Sequence, residues 1–131
     1  MNIQLKWWKV KELSLQIKDS DIEGEEKKSP FDMSIGHFFS KDNSREFGIG
    51  FEIKIEEEEF TLFIEIAFLF ELDEDINEEF KKSDFIKINA PAIAFPYVRS
   101  YISNLTLQSG FLPIMLPSIN FVRIAQRNIE Q

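Results

Sequence analysis

A chain of 131 residues, 44% hydrophobic and with 14 Phe, carries enough apolar mass for one folded domain over residues 1–131 and too much for a disordered one. Its net charge of −8 repels nucleic acid and anionic lipid, so neither is expected as a partner. With no cysteine, a disulfide framework, thiol catalysis and Cys-based metal sites are excluded.

The N-terminal stretch MNIQLKWWKVK has no apolar core of signal-peptide length, and no run reaches the ~20 apolar residues of a membrane helix. A soluble, cytoplasmic protein is expected. The first strand, residues 3–17, loses its alternation at Trp7-Trp8 and again before Leu13, which predicts a bulge or bend. Residues 18–30, KDSDIEGEEKKSP, form a polar connection long enough to cross between non-adjacent strands. Phe31, Met33, Ile35, His37 and Phe39 then alternate with Asp32, Ser34, Gly36, Phe38 and Ser40. Ile49, Phe51, Ile53 and Ile55 alternate with Gly50, Glu52, Lys54 and Glu56. Both patterns have the period of a strand with one buried face.

Four glutamates, residues 56–59, crowd poorly inside a ladder and predict a hairpin corner. The strand that follows, residues 60–72, places Leu62, Ile64, Ile66, Phe68, Phe70 and Leu72 on one face and Phe63, Ala67 and Leu69 with Glu65 and Glu71 on the other. A strand apolar on both sides is interior to its sheet or opens onto a second interface. Residues 73–85 are a second polar connector with a helical turn near residues 78–82.

Two helices close the chain. Val98, Tyr101, Ile102 and Leu105 fall at i, i+3, i+4, i+7, one apolar stripe. Asn89 is the expected N-cap, with Pro91 in the first turn. Pro96 either kinks this helix or starts it, and Gly110 ends it as the C′ residue. The apolar loop FLPIMLPS is held extended by Pro113 and Pro117. Ser118 or Asn120 caps a last helix that carries Phe121, Ile124 and Ala125. Ser100, Ser103 and Thr106 lie off the aliphatic stripe at three-residue spacing, either a solvated face or a seam where two helices approach closely.

The chemistry of a catalyst is missing. His37, the one histidine, falls in the apolar phase of a strand and reads as a packed or edge residue. DEDINEE lacks the glycine and the final glutamate of a calcium loop. No phosphate loop, GxSxG or HExxH occurs, so no enzyme, no cofactor and no metal is expected. The 14 Phe leave more apolar surface than a thin domain hides, which points to an oligomer interface or a binding surface.

The C-terminal third resembles the SecB family of export chaperones. That family opens its long helix with Pro-x-x-Leu-Phe-Pro-Tyr-Ala-Arg, follows it with a Gly-x-Phe-Pro loop, and opens its last helix with Pro-Val-Asn-Phe. Pro91, Phe95, Pro96, Tyr97, Arg99, Ile102, Leu105 and Gly110 fit the first pattern, Pro113 the loop, and Ser118-Ile119-Asn120-Phe121 the last. Glu58-Glu59 and residues 63–66 resemble the family's Glu-Glu corner and the strand after it.

The resemblance implies an α+β fold, a four-stranded antiparallel sheet with a long C-terminal helix and a short last helix packed on one face. It implies a homotetramer, a dimer of dimers, in which Ser100, Ser103 and Thr106 are where subunits touch. It implies an ATP-independent holdase for unfolded preproteins, with Trp7, Trp8, Phe38, Phe39, Phe111, Leu112, Ile114 and Met115 as groove residues, and the acidic Glu58 and Glu59 as a docking surface for SecA. Two departures count against that docking. Leu13-Ser14-Leu15-Gln16 stands where export members carry Ser-Phe-Glu, and the flexible C-terminal tail of those members is not seen before Gln131. A SecB-like chaperone dedicated to an antitoxin would explain both. A hot-dog-type thioesterase is the enzymatic alternative, but it places its helix early in the chain, and here the helix comes last.

Overall fold

Period-two alternation becomes four antiparallel strands in this computed structural model, which describes residues 2–18 and 31–130, the last helix from residue 127 by its backbone alone. The strands are β1 (Ile3–Ile17), β2 (Phe31–Phe39), β3 (Glu46–Glu56) and β4 (Phe60–Leu72), in the order β1-β4-β3-β2. Strands β2, β3 and β4 form a meander. β1 sits beside β4, at the edge opposite β2, so β1 and β2 are non-adjacent strands; the polar connection read between them lies, from residue 19 to 30, outside the described residues. The chain forms two compact units, Met1–Asp75 and Ile76–Gln131, taken here in turn.

In the first unit the doubly apolar β4 is interior, as its pattern predicts. Cross-strand register puts Phe70 opposite Phe47, Phe68 opposite Ile49, and Ile66 opposite Phe51, all buried. Phe47 and Phe70 stack at 5.2 Å, and Phe51 meets Phe68 edge to face at 5.8 Å. Each such fully buried side chain contributes about 1.5–3 kcal/mol of burial free energy, which makes this face the main stabilising layer of the sheet. The β3–β4 corner is tight: the Glu57 N–H donates to the Phe60 carbonyl at 3.0 Å.

The phase losses read in the first strand are real bulges. Pairing with β4 slips between Leu5 and Trp7 and between Val10 and Glu12, so Lys6 and Lys11 are the extra residues. Each ammonium then reaches a β4 carboxylate, Lys6 to Glu71 at 3.7 Å and Lys11 to Glu65 at 3.6 Å. Those two glutamates face further glutamates on β3, Glu46 opposite Glu71 and Glu52 opposite Glu65. The bulges therefore deliver cations where the β3–β4 ladder sets like charges side by side.

In the second unit, α1 (Glu78–Lys81) is capped by Asn77, whose Oδ1 accepts from the Phe80 N–H at 2.7 Å. A π-helical turn, Phe85–Asn89, leads without a break into α2 (Ala90–Gln108), and α3 (Phe121–Glu130) follows an extended loop. Asn89 is not the N-cap expected of it. Its backbone is already helical, its side chain makes no capping bond, and the Ala90 N–H is satisfied by the Phe85 carbonyl of the turn before. A helix that continues from an upstream turn has no orphan donors for a cap to serve. Pro96 lies inside α2, so the helix starts at Ala90 and not at this proline. Asn120 does cap α3, accepting from the Arg123 N–H at 3.1 Å, and Phe121 meets Phe95 of α2 edge to face at 5.6 Å.

Candidate functional site

Helix α2 ends in a full Schellman motif. Gly110 takes φ +97, its N–H donates to the Leu107 carbonyl, and the Phe111 N–H reaches back to the Thr106 carbonyl at 3.0 Å. Only a residue free of a Cβ adopts that angle without strain, and the chain is thereby turned back along the helix. The apolar loop then runs beside α2. Its Ile114 N–H donates to the Thr106 hydroxyl at 3.0 Å, and the Ser103 hydroxyl approaches the Met115 sulfur at 3.7 Å.

Thr106 is fully buried. Its hydroxyl donates to the Ile102 carbonyl at 2.9 Å, with the Ser103 carbonyl at 3.1 Å, while its lone pair takes the Ile114 proton. An unpaired hydroxyl in such a place would cost about 1–3 kcal/mol, and here both of its capacities are used. The placement corrects the helix-face reading of Ser100, Ser103 and Thr106. Thr106 continues the buried line Ala94, Val98, Ile102 at four-residue spacing, so it does not share the exposed face of Ser100.

Ser100 and the half-buried Ser103 line one wall of a groove of about 290 Å³, with Arg99 and Asn104. Ile114, Met115 and Leu116 of the loop line the other wall. Residues expected to form a subunit seam and residues expected to form a client groove thus belong to one local structure. On this loop two large apolar side chains stand in solvent, Leu112 at 89% exposure and Met115, which also lines the groove, at 76%. Both extend from a loop whose backbone is bonded to a buried helix residue, so they are presented and not merely loose.

The sheet divides the other groove candidates between its faces. Trp8 is half-buried, stacked on Phe68 at 5.8 Å, and Phe39 lies on that same face opposite Phe47. Trp7 and Phe38 are on the other face, on a single rung that runs Trp7, Leu69, Gly48, Phe38 across four strands, about 14 Å at the usual strand spacing. Trp7 is 38% exposed with the Lys9 ammonium 4.8 Å from its ring centre, and Phe38 is 44% exposed. Beside this apolar rung is one of small residues, Ala67, Gly50 and Gly36, the floor of a cleft of about 310 Å³ walled by Phe38 on one side and by Glu52, Glu65 and Lys11 on the other.

Glu12, Glu65 and Glu52 stand in line on the next rung, a row of three carboxylates compensated at Lys11. Sequence reading singled out Glu58 and Glu59, which are exposed at the β3–β4 corner, and missed this row, because Glu12 and Glu52 become neighbours of Glu65 only once the register is known. His37 lies at the β2 edge, exposed, its ring edge-on to Phe39 at 5.8 Å. Among the described residues no group of three or more His, Asp or Glu is arranged to hold a metal ion, and no helix is long and apolar enough to cross a membrane.

A four-stranded antiparallel sheet followed by a long and a short helix, with apolar side chains displayed on an anchored loop, defines an α+β fold. A family model described as SecB, preprotein translocase subunit SecB, matches residues 1–131, and the chain belongs to the SecB family. It is 37% identical over 65 residues to a protein named Protein-export protein SecB from Anaplasma phagocytophilum, covering 50% of this chain and 40% of that protein. It is 42% identical over 65 residues to the protein of the same name from Orientia tsutsugamushi strain Boryong, covering 50% and 39%. The chain thus spans about two fifths of the length of these curated relatives. Among solved structures, the SecB-like chaperone of Mycobacterium tuberculosis, in complex with a ChAD peptide from the HigA1 antitoxin, superposes with a TM-score of 0.63. That match covers 90% of this chain and 88% of the other at 16% identity, a likeness of fold.

Proposed function

We propose that this protein is an ATP-independent chaperone that holds non-native polypeptides by their apolar segments. The observation that carries the reading is the pair Leu112 and Met115, exposed at 89% and 76% on a loop pinned to α2. Single exposed apolar residues are ordinary on a folded surface, but large ones grouped on one ordered support mark a candidate interaction site. A thioether and a branched aliphatic chain accept many sequences, since their contacts are non-directional and adapt to shape. Trp7 and Phe38 add a second apolar station on the sheet. Several weak contacts along one unfolded chain reinforce each other through effective concentration. Membership in the SecB family and the names of the export relatives support the same reading.

The proposal extends to a homotetramer in the cytoplasm with the chain as one domain and no catalytic role. Ser100 remains the interface residue of choice, exposed on α2 beside the groove, and native mass measurement tests the assembly. The test of the function is light scattering of an aggregating client with and without the protein and without nucleotide. Suppression near stoichiometric ratio supports the holdase; equal aggregation rates overturn it.

A second reading, a chaperone dedicated to an antitoxin, is favoured by Leu13-Ser14-Leu15-Gln16, which lacks the acid of export members. The antitoxin peptide held by the M. tuberculosis fold neighbour supports it. The two readings differ in their partners: SecA would meet an acidic surface, from Glu58 and Glu59 or from the row of Glu12, Glu65 and Glu52. Calorimetric titration with SecA decides between them, binding favouring export and silence the dedicated client.

A further inference from the structure

We infer that Thr106 is the positioning residue of the client-binding loop: its buried hydroxyl pins the Ile114 amide to α2 and so fixes where Leu112 and Met115 stand. This rests on the chaperone reading for its functional half and on geometry alone for its structural half. Three tethers join loop to helix within one turn. The Phe111 N–H bonds the Thr106 carbonyl at 3.0 Å, the Ile114 N–H bonds the Thr106 hydroxyl at 3.0 Å, and the Ser103 hydroxyl meets the Met115 sulfur at 3.7 Å.

The first tether belongs to the helix end and is made by any residue at position 106, because it uses the backbone. The third is a weak bond to a thioether. The second is the one that depends on side-chain chemistry. It spans eight residues, its acceptor is fully buried while the bond itself is part-buried, and without it the Ile114 N–H has to find water or stay unpaired. The two exposed apolar residues lie on either side of this anchor, at positions 112 and 115.

A hydroxyl that donates to its own helix must accept from elsewhere to be fully used, and Ile114 supplies the proton. Valine has the shape of threonine without either function. Serine keeps both and loses only the methyl. Thr106→Val therefore frees the loop while leaving the helix its backbone bonds, and Thr106→Ser keeps it tied. Ordered apolar side chains bind a guest without first losing their own freedom, so a freed loop binds less tightly although its composition is unchanged.

The experiment combines amide hydrogen exchange at Ile114 with binding of fluorescently labelled lactalbumin, reduced and carboxymethylated so that it stays unfolded. In the unsubstituted protein, Ile114 should be protected about as well as the last turn of α2. Exchange there at the rate of an open amide overturns the inference with no variant needed. In T106V, exchange at Ile114 should rise about tenfold, the equivalent of one modest hydrogen bond, and affinity for the unfolded probe should drop about threefold or more. T106S should restore both. Faster exchange with unchanged affinity, in a protein whose far-ultraviolet spectrum is native, overturns the positioning role. Absence of probe binding by the unsubstituted protein overturns the chaperone reading and this role with it, while the exchange measurement still decides the pin.

Discussion

The ring of Phe38 lies across the backbone of Gly48, so that a Cβ on Gly48 would fall into the far edge of that ring. Gly50, two residues on in the same strand, has nothing near the place a Cβ would take. One methyl group at each glycine should therefore act with opposite sign. Gly50→Ala lowers the entropy of the unfolded chain and is expected to leave stability unchanged or raise it by about 0.5 kcal/mol. Gly48→Ala has to push the ring away, and because Phe38 is half in solvent it can swing out, at an expected cost of about 1 kcal/mol. Chemical denaturation of both variants, and of Gly48→Ala in a Phe38→Ala background where the penalty should vanish, checks this. A cost that persists without the ring would show that Phe38 is not its source.

Leu112 and Met115 separate function from folding. At 89% and 76% exposure they contribute almost nothing to burial, so Leu112→Ser with Met115→Gln should leave the thermal midpoint within a degree or two. Suppression of client aggregation should weaken by about tenfold, the loss of roughly 1.4 kcal/mol of apolar contact. Parallel scanning calorimetry and light scattering make the comparison. A large drop in midpoint would mean that these side chains pack in the native protein.

Strand assignments were legible because a half-buried strand writes its period into the sequence, and even the two bulges showed as lost phase around Trp7-Trp8 and before Leu13. Asn77, Asn120 and Gly110 act locally; the last two stand at the ends of clear helical patterns, whereas the signal of Asn77 is hidden in a run of acidic residues. Asn89 misled because capping rules assume that the helix begins there, whereas a π-turn precedes it. Thr106 misled for a different reason. A helical wheel counts threonine as polar, yet a threonine that bonds its own helix can occupy the buried stripe, and its partner Ile114 is unknown until the loop is folded back. Contacts set by register, Phe38 on Gly48 or Glu12 beside Glu65, have no local signature at all.

Asp75 ties the end of the sheet unit. Its Oδ1 accepts from the Ser44 hydroxyl at 2.7 Å and from Arg45 Nε at 3.3 Å, while the Leu72 N–H bonds the Arg45 carbonyl at 2.8 Å. The Ser44 bond first and the Arg45 bond second hold its carboxyl below the ordinary aspartate range. A depressed folded pKa stabilises the protein at pH above the unfolded value, and that contribution is lost as pH falls through the folded one. The thermal midpoints of the unsubstituted protein and of Asp75→Asn should therefore differ slightly near pH 7 and converge in strong acid. Carbon-detected titration of the Asp75 carboxyl should show a midpoint that moves up in Ser44→Ala.

The row Glu12, Glu65, Glu52 sets three carboxylates on adjacent strands with the Lys11 ammonium 3.6 Å from the middle one. Like charges directly opposite each other in a ladder oppose folding, by amounts comparable to a favourable pair. Two substitutions then test the same field from opposite sides. Lys11→Met leaves the row without its cation and should destabilise by about 0.5–1 kcal/mol at low salt, while Glu12→Gln relieves it and should stabilise by a similar or smaller amount. Both effects should shrink as ionic strength rises from 10 mM to 1 M, where the screening length drops from about 30 Å to about 3 Å. If Glu12→Gln destabilises at every salt concentration, the carboxylate is serving the fold through a bond and not straining it through its charge. If the predicted signs hold, the sheet keeps an unfavourable row of acids on its less buried face. A basic partner would relieve that repulsion on docking, and Glu12→Gln should then weaken such a partner's binding while it strengthens the fold.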